Sequence, residues 1–77
     1  MNIERLIYLT DAVRNKTATK AEKDEWMLML YNDGKISSTQ YNKYLKDRNT
    51  DEILEATLAV VAIFLIGYLF LNLIGKK

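Results

Sequence analysis

Seventy-seven residues with no histidine and no cysteine allow one small domain, and exclude a disulfide framework, a thiolate metal site and imidazole chemistry. Eleven Lys and Arg stand against ten Asp and Glu, a formal charge of +1, so the basic face of a nucleic-acid binder is not indicated. The charge is unevenly placed: residues 1–55 hold nine bases and ten acids, whereas the run from Ala56 to Gly75 holds none.

In chain order, Ile3, Leu6, Ile7 and Val13 recur at near-helical spacing behind Asn2, a good N-cap, and predict an amphipathic helix over 3–14. Asn15-Lys16-Thr17 breaks it. Thr19-Lys20-Ala21-Glu22 then reads as a capping box, in which the threonine hydroxyl accepts from the Glu22 N–H and the Glu22 carboxylate reaches back. Asp24 and Glu25 also suit the positive end of the new helix, predicted over 20–32. Arg14, Lys16, Lys20 and Lys23 concentrate basic charge here, which reads as a solvated loop and helix start.

The second helix stops at Asp33-Gly34, where glycine takes the left-handed conformation at low steric cost. Ser37 to Gln40 supplies another capping box and starts a third helix over 38–48. Asn49 to Glu52 repeats the pattern. The last helix therefore begins at residue 50 and runs unbroken into the apolar segment. No proline interrupts the chain.

Trp26-Met27-Leu28-Met29-Leu30 is a run of five apolar residues, and five in a row cannot share one face of a helix. At about 100° per residue Trp26, Met29 and Leu30 face together, Met27 lies at their edge and Leu28 is nearly opposite. Ile7, Val13, Ile36, Tyr41 and Leu45 are the expected core partners. The surplus marks Trp26 to Leu30 as candidate contacts for a protein partner, a second copy or the membrane surface. A core this small also favours stabilisation by oligomerisation, by a larger partner or by lipid.

The nineteen residues from Ala56 to Ile74 would span about 28 Å as a helix. That matches a hydrocarbon core of about 30 Å and predicts a transmembrane helix. Ala56, Ala59 and Gly67 form a small-residue stripe along it, interrupted by Ile63. Asn72 lies within a turn of the end, at headgroup level, and the deeper Tyr68 would hydrogen-bond a neighbouring helix. MNIERLIYL lacks the long apolar stretch of a signal peptide, so the layout reads as a tail anchor. Lys43, Lys46 and Arg48 before the span, against Lys76 and Lys77 after it, favour a head on the cytoplasmic side.

Asn32-Asp33-Gly34-Lys35-Ile36-Ser37 looks like the second half of a calcium loop. Placing Gly34 at position 6 of such a loop puts Met29 at 1, Tyr31 at 3, Asp33 at 5 and Gln40 at 12. One carboxylate does not hold a hard dication against hydration, so no calcium is expected. What survives is helix, glycine turn, buried Ile36 and a capped helix. The stretch from Leu30 to Leu45, with Gly34-Lys35-Ile36-Ser37, Tyr41, Lys43 and Leu45, resembles the SHOCT short helical hairpin, with Gln40 where that pattern usually has Glu. The resemblance implies a non-catalytic helix-turn-helix interaction module, frequent in membrane-associated and phage-related proteins. Residues 6–30, with Thr19, Glu22 and Trp26, are similar to the cytoplasmic N-terminal segment of FecR-type anti-sigma factors, which implies a head placed before a single span.

Nothing in the chain assembles a catalytic group. Ser37 and Ser38 sit at a helix start, where capping explains them, and Asp51, Glu52 and Glu55 pair with a helix dipole at the membrane edge. The expected protein is all-α: a small three-helix head, residues 1–49, on a membrane-anchoring helix, residues 50–77. The expected role is non-enzymatic, a structural or docking subunit of a membrane-associated assembly with no cofactor. A virion membrane protein of a lipid-containing phage is one version. A phage holin, an anti-sigma-like regulator and an accessory subunit are the alternatives.

Overall fold

The computed structural model describes residues 2–46 and 50–75, with side-chain surroundings as far as Leu71. The chain is all-α, with α1 (Ile3–Arg14), α2 (Lys20–Asn32), α3 (Ser38–Lys46) and α4 (Thr50–Gly75). The third helix was expected to reach residue 48; residues 47–48, like the expected cap Asn49, lie outside the described residues.

Each boundary has a local cause. The Asn2 side chain accepts from the Arg5 N–H at 3.1 Å and opens α1. At its end Lys16 sits at φ 61°, in the left-handed region, so that its N–H donates to Val13 O and the Thr17 N–H donates to Ala12 O. This pair of bonds is a Schellman closure, which satisfies carbonyls that the helix end would otherwise leave bare. The Thr19–Glu22 capping box is complete in both directions and starts α2. A second Schellman closure ends it: Gly34 at φ 71° donates to Tyr31 O, and the Lys35 N–H donates to Leu30 O at 2.8 Å.

The third cap is half of what the sequence predicts. Ser37 Oγ accepts from the Gln40 N–H at 3.1 Å. The Gln40 side chain does not return to Ser37; it donates across to Thr57 Oγ1 of α4 at 2.9 Å. An amide reaching a buried hydroxyl satisfies a group that water cannot reach, whereas the exposed Ser37 N–H can be solvated.

The helices close a ring in which α1 packs on α2 and α4, and α3 packs on α2 and α4. One cluster fills it: Leu6, Leu9 and Val13 of α1, Trp26, Met27 and Leu30 of α2, Ile36 of the turn, Tyr44 of α3, and Ile53, Leu54, Val61 and Leu65 of α4. The three-helix core expected from the sequence is thus completed by the first four turns of α4. Ile7 and Tyr41 pack at its margin, half-buried. Leu45 was expected in the core and is instead exposed, its place taken by Tyr44. Tyr44 wins because its ring fills the core while its hydroxyl donates to Asp24 of α2 at 2.7 Å. Tyr31 and Tyr41 stack at 4.7 Å and hold the α2–α3 hairpin together.

Two buried threonines carry the polar bonds of this core. Thr10 Oγ1 donates to Leu6 O and accepts from Trp26 Nε1, while Thr57 Oγ1 donates to Ile53 O and accepts from Gln40. Among the described residues every buried side-chain nitrogen and oxygen has a partner. No local motif marks either threonine; the one sequence signal is that each interrupts an apolar helix face.

Candidate functional site on helix α4

A 26-residue helix is about 39 Å long, roughly twice the length of α2 at about 20 Å. Its two sides differ. Ile53, Leu54, Thr57, Val61 and Leu65 recur at three- and four-residue intervals and face the head. Ala56, Ala59, Val60, Ile63, Ile66, Gly67 and Phe70 occupy the opposite side and are exposed. Ile63 is 75% exposed, Ile66 69% and Phe70 62%, although each is a residue that a soluble fold normally covers.

No hydrogen-bonding or charged side chain lies on that outward face beyond Glu52 and Glu55 at its start. Thr57 and Tyr68, the polar groups with described surroundings in the apolar run, fall on the head side. Thr57 is fully buried, and the Tyr68 ring lies 6.5 Å from Phe64 in a tilted pair. Tyr68 therefore sits on the head side of the helix, away from the outward face. The Asn72 side chain, expected at headgroup level, lies outside the described residues.

Basic side chains border the outward face on both edges. Arg14 of α1 lines a shallow groove with Ala62, Leu65, Ile66 and Leu69, alongside Ile7 and Asp11. Lys43 of α3 lines another with Ala56, Val60 and Glu52. The Lys35 ammonium stands 4.3 Å from the centre of the Phe64 ring, a cation–π contact at the level where the head ends.

The packing and the nineteen-residue span compete for the same residues. Helix α4 is long and apolar enough to cross a membrane. With Thr57, Val61 and Leu65 held in the core, however, Arg14, Lys35 and Lys43 lie alongside the run. Carrying such groups to a bilayer centre costs roughly 2.5–3.5 kcal/mol each. Releasing α4 instead opens the core around Trp26.

The second candidate surface changes more. Trp26, Met27 and Leu30 are completely buried, so they are core residues rather than partner contacts. Met27 takes the inner place expected for Met29, which is half-buried: α2 packs between α1 and α3, and its buried stripe runs through Trp26, Met27 and Leu30. Of the five, Leu28 alone is left exposed, at 44%.

The polar surface of the head is organised by ion pairs. Arg5 grips Glu25 through Nε and Nη2 at 2.8 Å each, linking α1 to α2, and stacks over Tyr8. The Arg5 hydrogen bonds hold the Glu25 carboxyl below its ordinary range. Tyr44 is pushed well above the ordinary phenol range, first by burial and then by its bond to Asp24. Asp24 is lowered by that same bond and by Lys20. A phenol held so firmly in its neutral form serves as a donor rather than as a base. The Gly34 turn, which resembles a calcium loop, spends Asp33 as the C-cap of α2.

No known protein family, characterised protein or solved structure matches the chain.

Proposed function

We propose that this chain is a non-enzymatic, membrane-associated docking or structural subunit, in which α4 meets the bilayer and the helical head presents a surface to a protein partner. The observation that carries the reading is the outward side of α4: uncharged from Ala56 to Gly75, exposed through Phe70, and backed by a head whose own core is already satisfied. A contiguous apolar face of this length marks an interaction surface. The head belongs on the cytoplasmic face, on the balance of Lys43, Lys46 and Arg48 against Lys76 and Lys77.

The docking role rests on the α2–Gly34–α3 hairpin, which resembles SHOCT, and on exposed Leu28 and Tyr31 along its outer side. A virion membrane protein of a lipid-containing phage is the version of this assembly we favour. A holin would collapse membrane potential on induction, and an anti-sigma-like regulator would capture a soluble partner through the head.

The test is the partition of the tagged full chain between membrane and soluble fractions, followed by identification of what co-purifies in mild detergent. Recovery with membranes is expected. A monodisperse, soluble monomer would overturn the proposal.

A further inference from the structure

The expected span and the observed packing assign opposite surroundings to Thr57, Val61 and Leu65, and the distribution of side chains around α4 favours one of them. Resting on the membrane reading above, we propose that the head-packed chain meets the bilayer side-on. Helix α4 then lies along one leaflet with its outward face in lipid and its head side up, rather than crossing.

Three independent observations point the same way. First, the polar groups are sorted to one side. Thr57 is buried against the head and Tyr68, 38% exposed beyond it, falls on the same line of α4 at helical spacing, whereas Ala56, Ala59, Ile63, Ile66 and Phe70 face away. A helix surrounded by lipid has no reason to sort them so, while an interfacial helix requires it. Second, a long basic side chain flanks the outward face on each edge, Arg14 on one, paired with Asp11 at 3.0 Å, and Lys43 on the other, in a groove it shares with Glu52. In this posture their ammonium and guanidinium groups lie at the phosphate level, where long basic side chains keep their apolar stems against the helix and their heads in water. Third, the posture leaves the core intact: Trp26, Tyr44, Val61 and Leu65 stay together, and no buried hydrogen bond is broken.

The occupant is lipid rather than a second copy because the face is apolar along its length. A specific protein interface would place hydrogen-bonding groups among its contacts. Between Leu58 and Gly67 the chain has no side chain able to make one. Of the acids bordering the face, Glu52 and Glu55 lie at its N-terminal end, and Asp11, on the Arg14 edge, is paired with that arginine at 3.0 Å.

The absence of native cysteine makes the geometry directly readable. Single-cysteine full chains, Ile63→Cys, Phe70→Cys, Tyr68→Cys and Leu28→Cys as a control, are added to preformed vesicles of phosphatidylcholine and phosphatidylglycerol. They are then labelled with a membrane-impermeant maleimide. Loss of labelling at positions 63 and 70, with labelling kept at 68 and 28, is the expected result. Loss at 68 as well means that α4 crosses the bilayer, which overturns side-on contact while leaving membrane association standing. Continued labelling at 63 in vesicle-bound chain also overturns it. Protection at 63 and 70 before vesicles are added assigns the face to a second copy. A chain that fails to float with vesicles at all removes the membrane reading itself.

Discussion

Trp26 of α2 donates its indole N–H to Thr10 Oγ1 of α1 at 3.0 Å, and that hydroxyl in turn donates a hydrogen bond to Leu6 O at 2.7 Å. Both side chains are buried, so this short relay lets the largest core residue sit between α1 and α2 without an orphaned donor. Thr10→Val keeps the volume and removes the acceptor. The change is expected to destabilise the chain by about 1–3 kcal/mol, the cost of a buried unsatisfied N–H. Denaturant melts in a mild non-ionic detergent, followed by Trp26 fluorescence, provide the measurement. Thr10→Ser should retain most of the stability; equal losses for Val and Ser would show that the methyl packing, not the hydrogen bond, matters.

Gln40 and Thr57 form the matching link between α3 and α4. A double-mutant cycle with Gln40→Ala and Thr57→Val should give a coupling of about 0.5–1.5 kcal/mol, the net worth of one such bond. If Gln40 acted only as a helix cap, the two changes would add independently and the coupling would vanish.

The two Schellman closures offer a controlled comparison, since one uses glycine and the other lysine in the left-handed conformation. A Cβ in that region costs roughly 1–2 kcal/mol. Lys16→Gly is therefore expected to raise the stability of the chain, and Gly34→Ala to lower it by about 1–2 kcal/mol. Open space surrounds Gly34 on its Cβ side, so any loss there reports backbone conformation and not a clash. Opposite signs in paired thermal melts are the expected outcome.

Much of the head was legible because its punctuation is local. Asn2, Thr19 with Glu22, Gly34 and Ser37 act within four residues of themselves, so their roles can be read without knowing the tertiary fold. What could not be read is where long-range partners redirect a side chain. Gln40 has two hydrogen bonds open to it, and only the position of Thr57 decides between them. Tyr44 and Leu45 are adjacent on α3, and only Asp24 on a different helix selects which one turns inward. The same holds for α4. Its hydropathy is uniform, so the sequence shows a span, while the head contacts that divide it into two sides depend on α1 and α3.

Carboxylates held low and a phenol held high together set a pH window. The folded-state pKa values of Glu22, Asp24 and Glu25 lie below their ordinary values, through the Thr19 N–H and Tyr8, through Tyr44 and Lys20, and through Arg5 respectively. Their stabilisation is present above the unfolded values, near 4, and is lost as pH falls through the lower folded ones. Tyr44 has the opposite sign. With its folded pKa raised, its contribution is complete below the unfolded value of 10.0 and is lost as pH climbs beyond it. Thermal stability is thus expected to be flat between about pH 5 and pH 9 and to fall on both sides. Tyr44→Phe separates the limbs. Without an ionisable phenol at that site the alkaline fall should weaken, while at neutral pH the variant loses the Asp24 bond. An unchanged alkaline limb in this variant would move its origin to the lysines or to another tyrosine.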